Sequence, residues 1–286
     1  MSVPIRLAAV VACVLLAGAA VAVALTRGGG SDSGLTGGSR AGVIVWAVGD
    51  GANGSDESRR VARLIAGDRP RRVLYLGDVY DRGTAADFRD HFATVYGNLA
   101  RRMDPTPGNH DWPNHAVGYD PYWRNVKGRR VPHHYAFSAG GWRFISLNSE
   151  TPGDATQLAF LRRQLRRTDH GCAIAFMHRP RFNAGVHEEE ERDVNPLWRA
   201  LRGRAAILLS GHDHDLQRFR RVSGTVQLVI GAGGQERYNV DEGDRRLAFA
   251  DDTDDGALRM RLNPGVARLS IIAANGDVLD RSTVRC

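Results

Sequence analysis

Five short motifs in this 286-residue chain carry the residue types that hold metal ions: Gly49-Asp50, Gly77-Asp78, Gly108-Asn109-His110-Asp111, His178, and Gly211-His212-Asp213-His214. Carboxylate and amide oxygens are hard ligands, and imidazole suits first-row transition metals. Two such ions a few Å apart can neutralise a phosphate, activate water and stabilise a departing oxygen. The chemistry this set suits is therefore metal-assisted hydrolysis of a phosphoester. Each motif alone is weak, because Asp after Gly is common in turns and a lone His is commonly a satisfied polar core residue. His212-x-His214 is stronger, since alternate residues of an extended segment project to the same side. Five such motifs in one chain exceed coincidence.

The surrounding pattern places four of the five at strand ends. Apolar runs Val43–Val48 and Val73–Leu76 lead into Gly49-Asp50 and Gly77-Asp78, Cys172–Met177 leads into His178, and Ile207–Leu209 leads into Ser210-Gly211-His212. Between them, Ser55 can cap a helix with Val61, Leu64 and Ile65 on one face. Thr84 can cap a second helix presenting Phe88, Phe92 and Val95. Asp154 and Gln157 form a capping-box pattern before Leu158, Leu161 and Leu165, and Asn195-Pro196 starts a helix with Leu197 and Leu201. Arg143–Leu147 reads as a strand, and after His214 only strand-like runs follow: Val226–Ile230, Ala257–Leu262 and Ala267–Ile272. Strand alternating with helix indicates parallel βαβ units, whose ligands bind outside the carboxyl ends of the strands. The five motifs are thus expected to converge on one edge.

In their order and wording, Gly49-Asp50, Gly77-Asp78-Val79-Tyr80-Asp81-Arg82-Gly83, Gly108-Asn109-His110-Asp111, Met177-His178-Arg179-Pro180 and Gly211-His212-Asp213-His214 resemble the calcineurin-like metallophosphoesterase superfamily. The nearest flavour is the compact secreted branch related to purple acid phosphatases. The resemblance runs from about Val43 to the C-terminus. It implies an α/β fold, a four-layer αββα sandwich of two mixed sheets with outer helices and the active site at strand C-terminal loops. It also implies two transition-metal ions (Fe, Mn or Zn) and a small phosphate-ester substrate, monoester or diester, hydrolysed by metal-activated hydroxide. Asp50 and His214 then match ligands of the first metal, Asn109, His178 and His212 those of the second, and Asp78 the bridging carboxylate. His110 matches the histidine that assists the leaving oxygen, and Asp81 the aspartate that orients it. Arg82 and His187 match substrate-binding positions. The chain departs from the family twice. Ala52 stands where many members carry His. Tyr80 lies one residue short of the tyrosine ligand of purple acid phosphatases, so on sequence alone it is not counted as a ligand. The first metal is then expected to have three side-chain ligands and water.

Composition is that of a globular protein, with 42% hydrophobic and 25% charged residues. The net charge of +7 is carried almost wholly by arginine, Lys127 being the only lysine. The arginines are scattered, which argues against a nucleic-acid partner. The apolar run Leu7–Leu25 and the Gly/Ser-rich stretch after it divide the chain into a signal peptide or signal anchor (1–26), a linker (27–41) and a catalytic domain (42–286). A bilayer span takes about 20 apolar residues, so cleavage and anchoring through residues 7–25 both remain open. Either way the domain is expected outside the cytoplasm, secreted or held on the outer side of the membrane. There Cys172 and Cys286 can pair or stay as two thiols. No Gly-x-Ser-x-Gly or Cys-x-x-Cys occurs, which disfavours serine hydrolase and thiolate zinc chemistry. Asp251–Asp255 lacks the glycine and distal Glu of an EF-hand and reads as a solvated loop. Trp112, Tyr119, Tyr122 and Trp123 can wall a cleft or simply pack. A non-catalytic exported protein that keeps this fold is the rival to an enzyme.

Overall fold

The computed structural model describes residues 42–168 and 172–286. The expected signal or anchor segment and its linker lie outside the described residues. Strands β1 (Val43–Val48), β2 (Arg72–Tyr75) and β3 (Met103–Pro105) run parallel. Beyond β1 the same sheet continues antiparallel through β11 (Gly256–Asn263), β12 (Val266–Ala273) and β13 (Val278–Arg285). A second sheet has at its centre the parallel strands β5 (Trp142–Ser146), β6 (Ala173–Phe176), β7 (Ile207–Ser210) and β9 (Val226–Ile230). Antiparallel strands flank it: β4 (Tyr135–Ala139) on one side, β8 (Leu216–Phe219) and then β10 (Leu247–Asp251) on the other. Both sheets are mixed.

Three apolar layers hold these sheets. Val45, Ala47, Leu74 and Leu76 of the first sheet face Phe144, Phe176, Leu209 and Leu228 of the second, and all are buried. Alternation along β1 and β2 sends Trp46, Val48, Val73 and Tyr75 the other way, where they meet Val61, Ile65, Phe88, Phe92 and Trp123 of the helices. On the far face of the second sheet, Ile145, Ala175 and Leu208 pack under Leu161, Leu165 and Trp198. The result is the four-layer αββα sandwich.

The helix signals act as their chemistry suggests, with two differences. Ser55 accepts the Ser58 N–H and starts helix α1 (Asp56–Gly67). Thr84 and Asp87 form a reciprocal capping box at α2 (Ala85–Asp87), but the helix then widens into a π-helical stretch (Phe88–Phe92) before α3 (Ala93–Tyr96). Helix α4 (Tyr119–Lys127) stops at Gly128, whose φ of 66° provides the left-handed cap. Asp154 caps α5 (Ala155–Leu165) through the Gln157 N–H, yet the Gln157 amide does not close a capping box. It clamps both main-chain groups of Asn148, at 2.7 and 3.0 Å, just beyond β5. Pro196 sits in the first turn of α6 (Asn195–Leu201). Cys172 and Cys286 are bonded, with 5.0 Å between Cα atoms. The bond joins the residue before β6 to the end of β13, and hence one sheet to the other.

Candidate metal centre and active site

All five motifs emerge at the carboxyl ends of parallel strands: Asp50 after β1, Asp78 after β2, Asn109 after β3, His178 after β6 and His212 after β7. Main-chain bonds knit these ends together. Gly49 N–H donates to Ile230 O across the sheets at 2.9 Å, Asp50 N–H to Gly77 O at 3.2 Å, and Gly211 N–H to His178 O at 3.0 Å. Asp50, Asp78 and His212 have φ of 57°, 66° and 76°, a left-handed conformation that costs a non-glycine residue energy. Three strained residues in one cluster are what a functional constraint produces. The glycines beside them answer to space. A Cβ on Gly77 would sit 2.5 Å from His178 Nδ1, and one on Gly108 or Gly211 would collide with the carboxylate of Asp78 or Asp50.

The side chains then converge. His178 Nδ1–H donates to Leu76 O at 2.9 Å, which turns Nε2 toward Asn109 Oδ1 at 2.9 Å and Asp78 Oδ2 at 3.3 Å. His212 Nδ1 lies 3.2 Å from that same Nε2, while its own Nε2 faces Glu190 Oε2 at 3.0 Å. His214 Nδ1–H donates to Glu236 O at 2.8 Å, leaving Nε2 on the Asp50 side, 3.8 Å from Oδ1. Outer hydrogen bonds of this kind fix the tautomer and aim the lone pair of a metal-binding imidazole. The Tyr80 hydroxyl occupies the middle, 3.1 Å from Asp50 Oδ1, 3.3 Å from Asp78 Oδ2 and 2.8 Å from His214 Nε2.

Burial and close pairing set the charge states of these groups. Burial pushes the Asp50 carboxyl well above the usual carboxylate range, and the neighbouring Asp78 adds to the rise against the pull of His178. Burial acts the same way on Asp78, but the charge and hydrogen bond of His178, joined by His110, hold it below its ordinary value. Burial draws His178 down, yet Asp78 and then Asp50 more than reverse this and bring it up to about 10. His212 and His214 are depressed chiefly by burial, His214 to about 4, so both are neutral near pH 7. Neutral His212 and His214 have the ligand form a metal requires, and His178 would give up its Nε2 proton on ligation. Asp50, Asp78 and His178 each bring a donor atom to within 4.8 Å of the others'. The donor chemistry fits transition-metal ions.

A sequence model of calcineurin-like phosphoesterases matches residues 43–216, more than half of the chain. The chain belongs to the calcineurin-like phosphoesterase family. No curated protein sequence matches it. Purple acid phosphatase PPD1 from yellow lupin (Lupinus luteus) seeds superposes with a TM-score of 0.70 at 17% identity, over 85% of this chain and 53% of the lupin chain. GAP50, the anchor in the inner membrane complex of Plasmodium, gives a TM-score of 0.69 at 13% identity, covering 86% of this chain and 89% of that one. A dimetal phosphatase from Danio rerio gives 0.60 at 14% identity over 86% and 99%. At such identities the likeness is one of fold.

Within this calcineurin-like site, Asp50, Asp78, Asn109, His178, His212 and His214 are brought together as the motifs imply. His110 stands at the rim, 38% exposed, its Nε2 3.9 Å from Asp78 Oδ2. Its Nδ1–H donates to the main-chain oxygen of Asp81 at 2.6 Å, so it is the Asp81 carbonyl, not the expected carboxylate, that orients the ring. Arg82 is exposed and shares a hollow with Asp81, Asn109 and His110. His187 Nδ1 pairs with buried Asp213 Oδ1 at 2.7 Å, and its ring lies 4.4 Å from that of His212.

Tyr80 reaches into the donor cluster. Tyr80 N–H bonds Ala52 O at 2.9 Å beside an Ala52–Val79 bridge. The left-handed turn at Asp78 and this pairing bring the Tyr80 hydroxyl to 3.3 Å from Asp78 Oδ2. Buried Ala52 packs in the same apolar cluster as Val79, and the Tyr80 oxygen lies among Asp50, Asp78 and His214. Asp111 carries a role the motif reading did not assign. Its carboxylate accepts the N–H groups of Gly108 at 2.9 Å, Asp78 at 3.0 Å and Val79 at 3.1 Å, pinning two ligand loops together. Its place in the Asn-His-Asp run was the available signal. Glu190, which contacts His212 and pairs with Arg179, carried none beyond its acidic neighbours. Of the aromatics after His110, Tyr119 and Trp123 are buried against the first sheet's helices, and partly buried Tyr122 packs with them. In the acidic loop, Asp251 accepts the N–H groups of Thr253 and Asp254, and Asp255 pairs with Arg237.

Proposed function

We propose that this protein is a hydrolase of small phosphate esters whose site holds two transition-metal ions. Asp50, His214 and the Tyr80 oxygen would hold the first, Asn109, His178 and His212 the second, and Asp78 would lie between them. When bound, such ions supply charge neutralisation and a water of lowered pKa. The chain's own residues supply the rest. Asp111 fixes the two loops on which Asp78 and Asn109 are carried. His110, held by Asp81 O, offers Nε2 to the departing oxygen, and imidazole is suited to this near neutral pH. Arg82 offers a guanidinium fork to phosphate oxygens, and His187, braced by Asp213, stands on the opposite rim.

The single observation that carries the reading is the meeting of imidazole and carboxylate donors beyond the strand ends, with His178 and His214 each aimed by an outer hydrogen bond to a main-chain oxygen. A non-catalytic scaffold role, to which the likeness to the Plasmodium anchor protein lends some support, leaves that aimed donor set without a purpose. The apolar run at residues 7–25 supports an exported domain comprising 42–286; no helix of the described residues is long and apolar enough to cross a membrane. The test is hydrolysis of p-nitrophenyl phosphate and its bis ester by metal-stripped protein resupplied with Mn²⁺, Zn²⁺ or Fe. Turnover of one or both is expected, with Asp78→Ala inactive and depleted in both ions. A folded, metal-loaded wild type that turns over neither ester, nor any member of a wider ester panel, would overturn it.

A further inference from the structure

Outside this site a second group of donors meets on the segment that follows His110. His133 Nε2 lies 2.8 Å from Asp120 Oδ1, and His115 Nδ1 lies 3.3 Å from Asp120 Oδ2. The three residues can each direct one donor atom to within 4.8 Å of the others'. We propose that His115, Asp120 and His133 form a separate cation site that takes a zinc-type ion.

Two imidazoles and a carboxylate are a donor set zinc accepts, with a water in the fourth place. Ions of this kind bind at about 2.0–2.2 Å, so neighbouring donors around a tetrahedral centre stand about 3.4 Å apart. The observed spacings of 2.8 and 3.3 Å need only small rotamer shifts to reach that value. The rings are already held. Trp112 stacks on His115 with centroids 4.3 Å apart and planes at 17°, and it meets His133 edge-on at 5.0 Å. The side chains are 16–31% exposed, enough for an ion to enter and too buried for freely moving surface groups. Each donor comes from a different local element: the turn after Trp112–Asn114, the first turn of α4, and the stretch before β4.

That placement gives the site a use. Asn114 Nδ2–H donates to Arg82 O at 2.8 Å, and Gly118 lies so close to Gly83 O that a Cβ could not be accommodated. An ion tying residues 115, 120 and 133 therefore braces the wall that carries Arg82 and His110. It would act on the geometry of that rim without touching the paired-metal donors.

The test is a zinc count on full-length protein after saturation and desalting, comparing wild type with His115→Ala/His133→Ala and with Asp120→Asn. Each variant is expected to hold one zinc fewer per chain than wild type. The difference is independent of the function proposed above: if the paired site failed to bind, the totals would drop together and the difference of one would stay. Equal zinc in wild type and folded variants would overturn the proposal. If the double variant does not fold, Asp120→Asn and zinc-edge anomalous scattering from wild-type crystals decide. A peak about 2.0–2.2 Å from His115 Nδ1 and His133 Nε2 is expected. Zinc elsewhere in the crystal with none there would refute it.

Discussion

Tyr80→Phe isolates one oxygen, because it leaves the ring, its burial and its packing in place. In wild type that oxygen touches Asp50 at 3.1 Å, Asp78 at 3.3 Å and His214 at 2.8 Å. Without metal the loss is one hydrogen bond shared among a buried carboxylate pair and an imidazole. Bonds to charged groups contribute about 1.5–3 kcal/mol, so the metal-free variant should unfold at lower denaturant by that amount. With metal the consequence differs, since a donor to one ion disappears while Asn109, His178 and His212 are untouched. Even partners one shell outside a metal cost about 10–100-fold in affinity when removed, which sets a floor for a direct donor. The stabilisation conferred by saturating metal should then shrink by at least about 1.4–2.7 kcal/mol, from the logarithmic dependence on Kd. Competition against a chelator measures this directly: one ion should be stripped at least 10-fold more easily and the other at the wild-type concentration. Two ions retained at wild-type affinity would refute the reasoning. Tyr80 would then be only a hydrogen-bond donor, and the first ion would have three side-chain ligands and water.

Three further outcomes test other parts of the site and scaffold. His110→Ala should keep its metals and lose about 10²–10⁴-fold in turnover of esters with poor leaving groups, and visibly less with p-nitrophenyl phosphate; equal losses would show that His110 is not the acid. Asp111→Ala leaves the buried N–H groups of Asp78, Val79 and Gly108 without their acceptor, at about 1–3 kcal/mol each, and should lower stability in urea by about 3 kcal/mol or more. A loss under 1 kcal/mol there would mean that other acceptors replace the carboxylate. Cys172→Ser opens a crosslink spanning 114 residues and should lower stability by up to about 4.7 kcal/mol in the chain-entropy model, with activity kept below the melting temperature.

What the sequence made legible follows the physics of each element. Strands β1, β2, β6 and β7 are short, buried on both faces and written as near-continuous apolar runs, so they could be read, and the ligand at each end with them. Strands β8, β10 and β13 could not, and in β8 and β13 polar residues pair across the fold. Arg218 in β8 pairs with Asp280 in β13 at 2.7 Å, and Gln217 is buried against Asn183 and Asp215. The same limit explains Tyr80. Counting positions from Asp78 compares this chain with a family spacing, whereas the direction of a side chain is set by the left-handed turn at Asp78 and by pairing with Ala52, 28 residues before Tyr80 in a different loop. Ala52 and the shifted tyrosine look like two separate defects in a list of motifs. In space they are neighbours: Val79 bridges Ala52, Tyr80 N–H bonds Ala52 O, and the Tyr80 oxygen reaches Asp50 and His214. The spacing of motifs records the ligands, but only the register between loops records which side of each loop faces the metal.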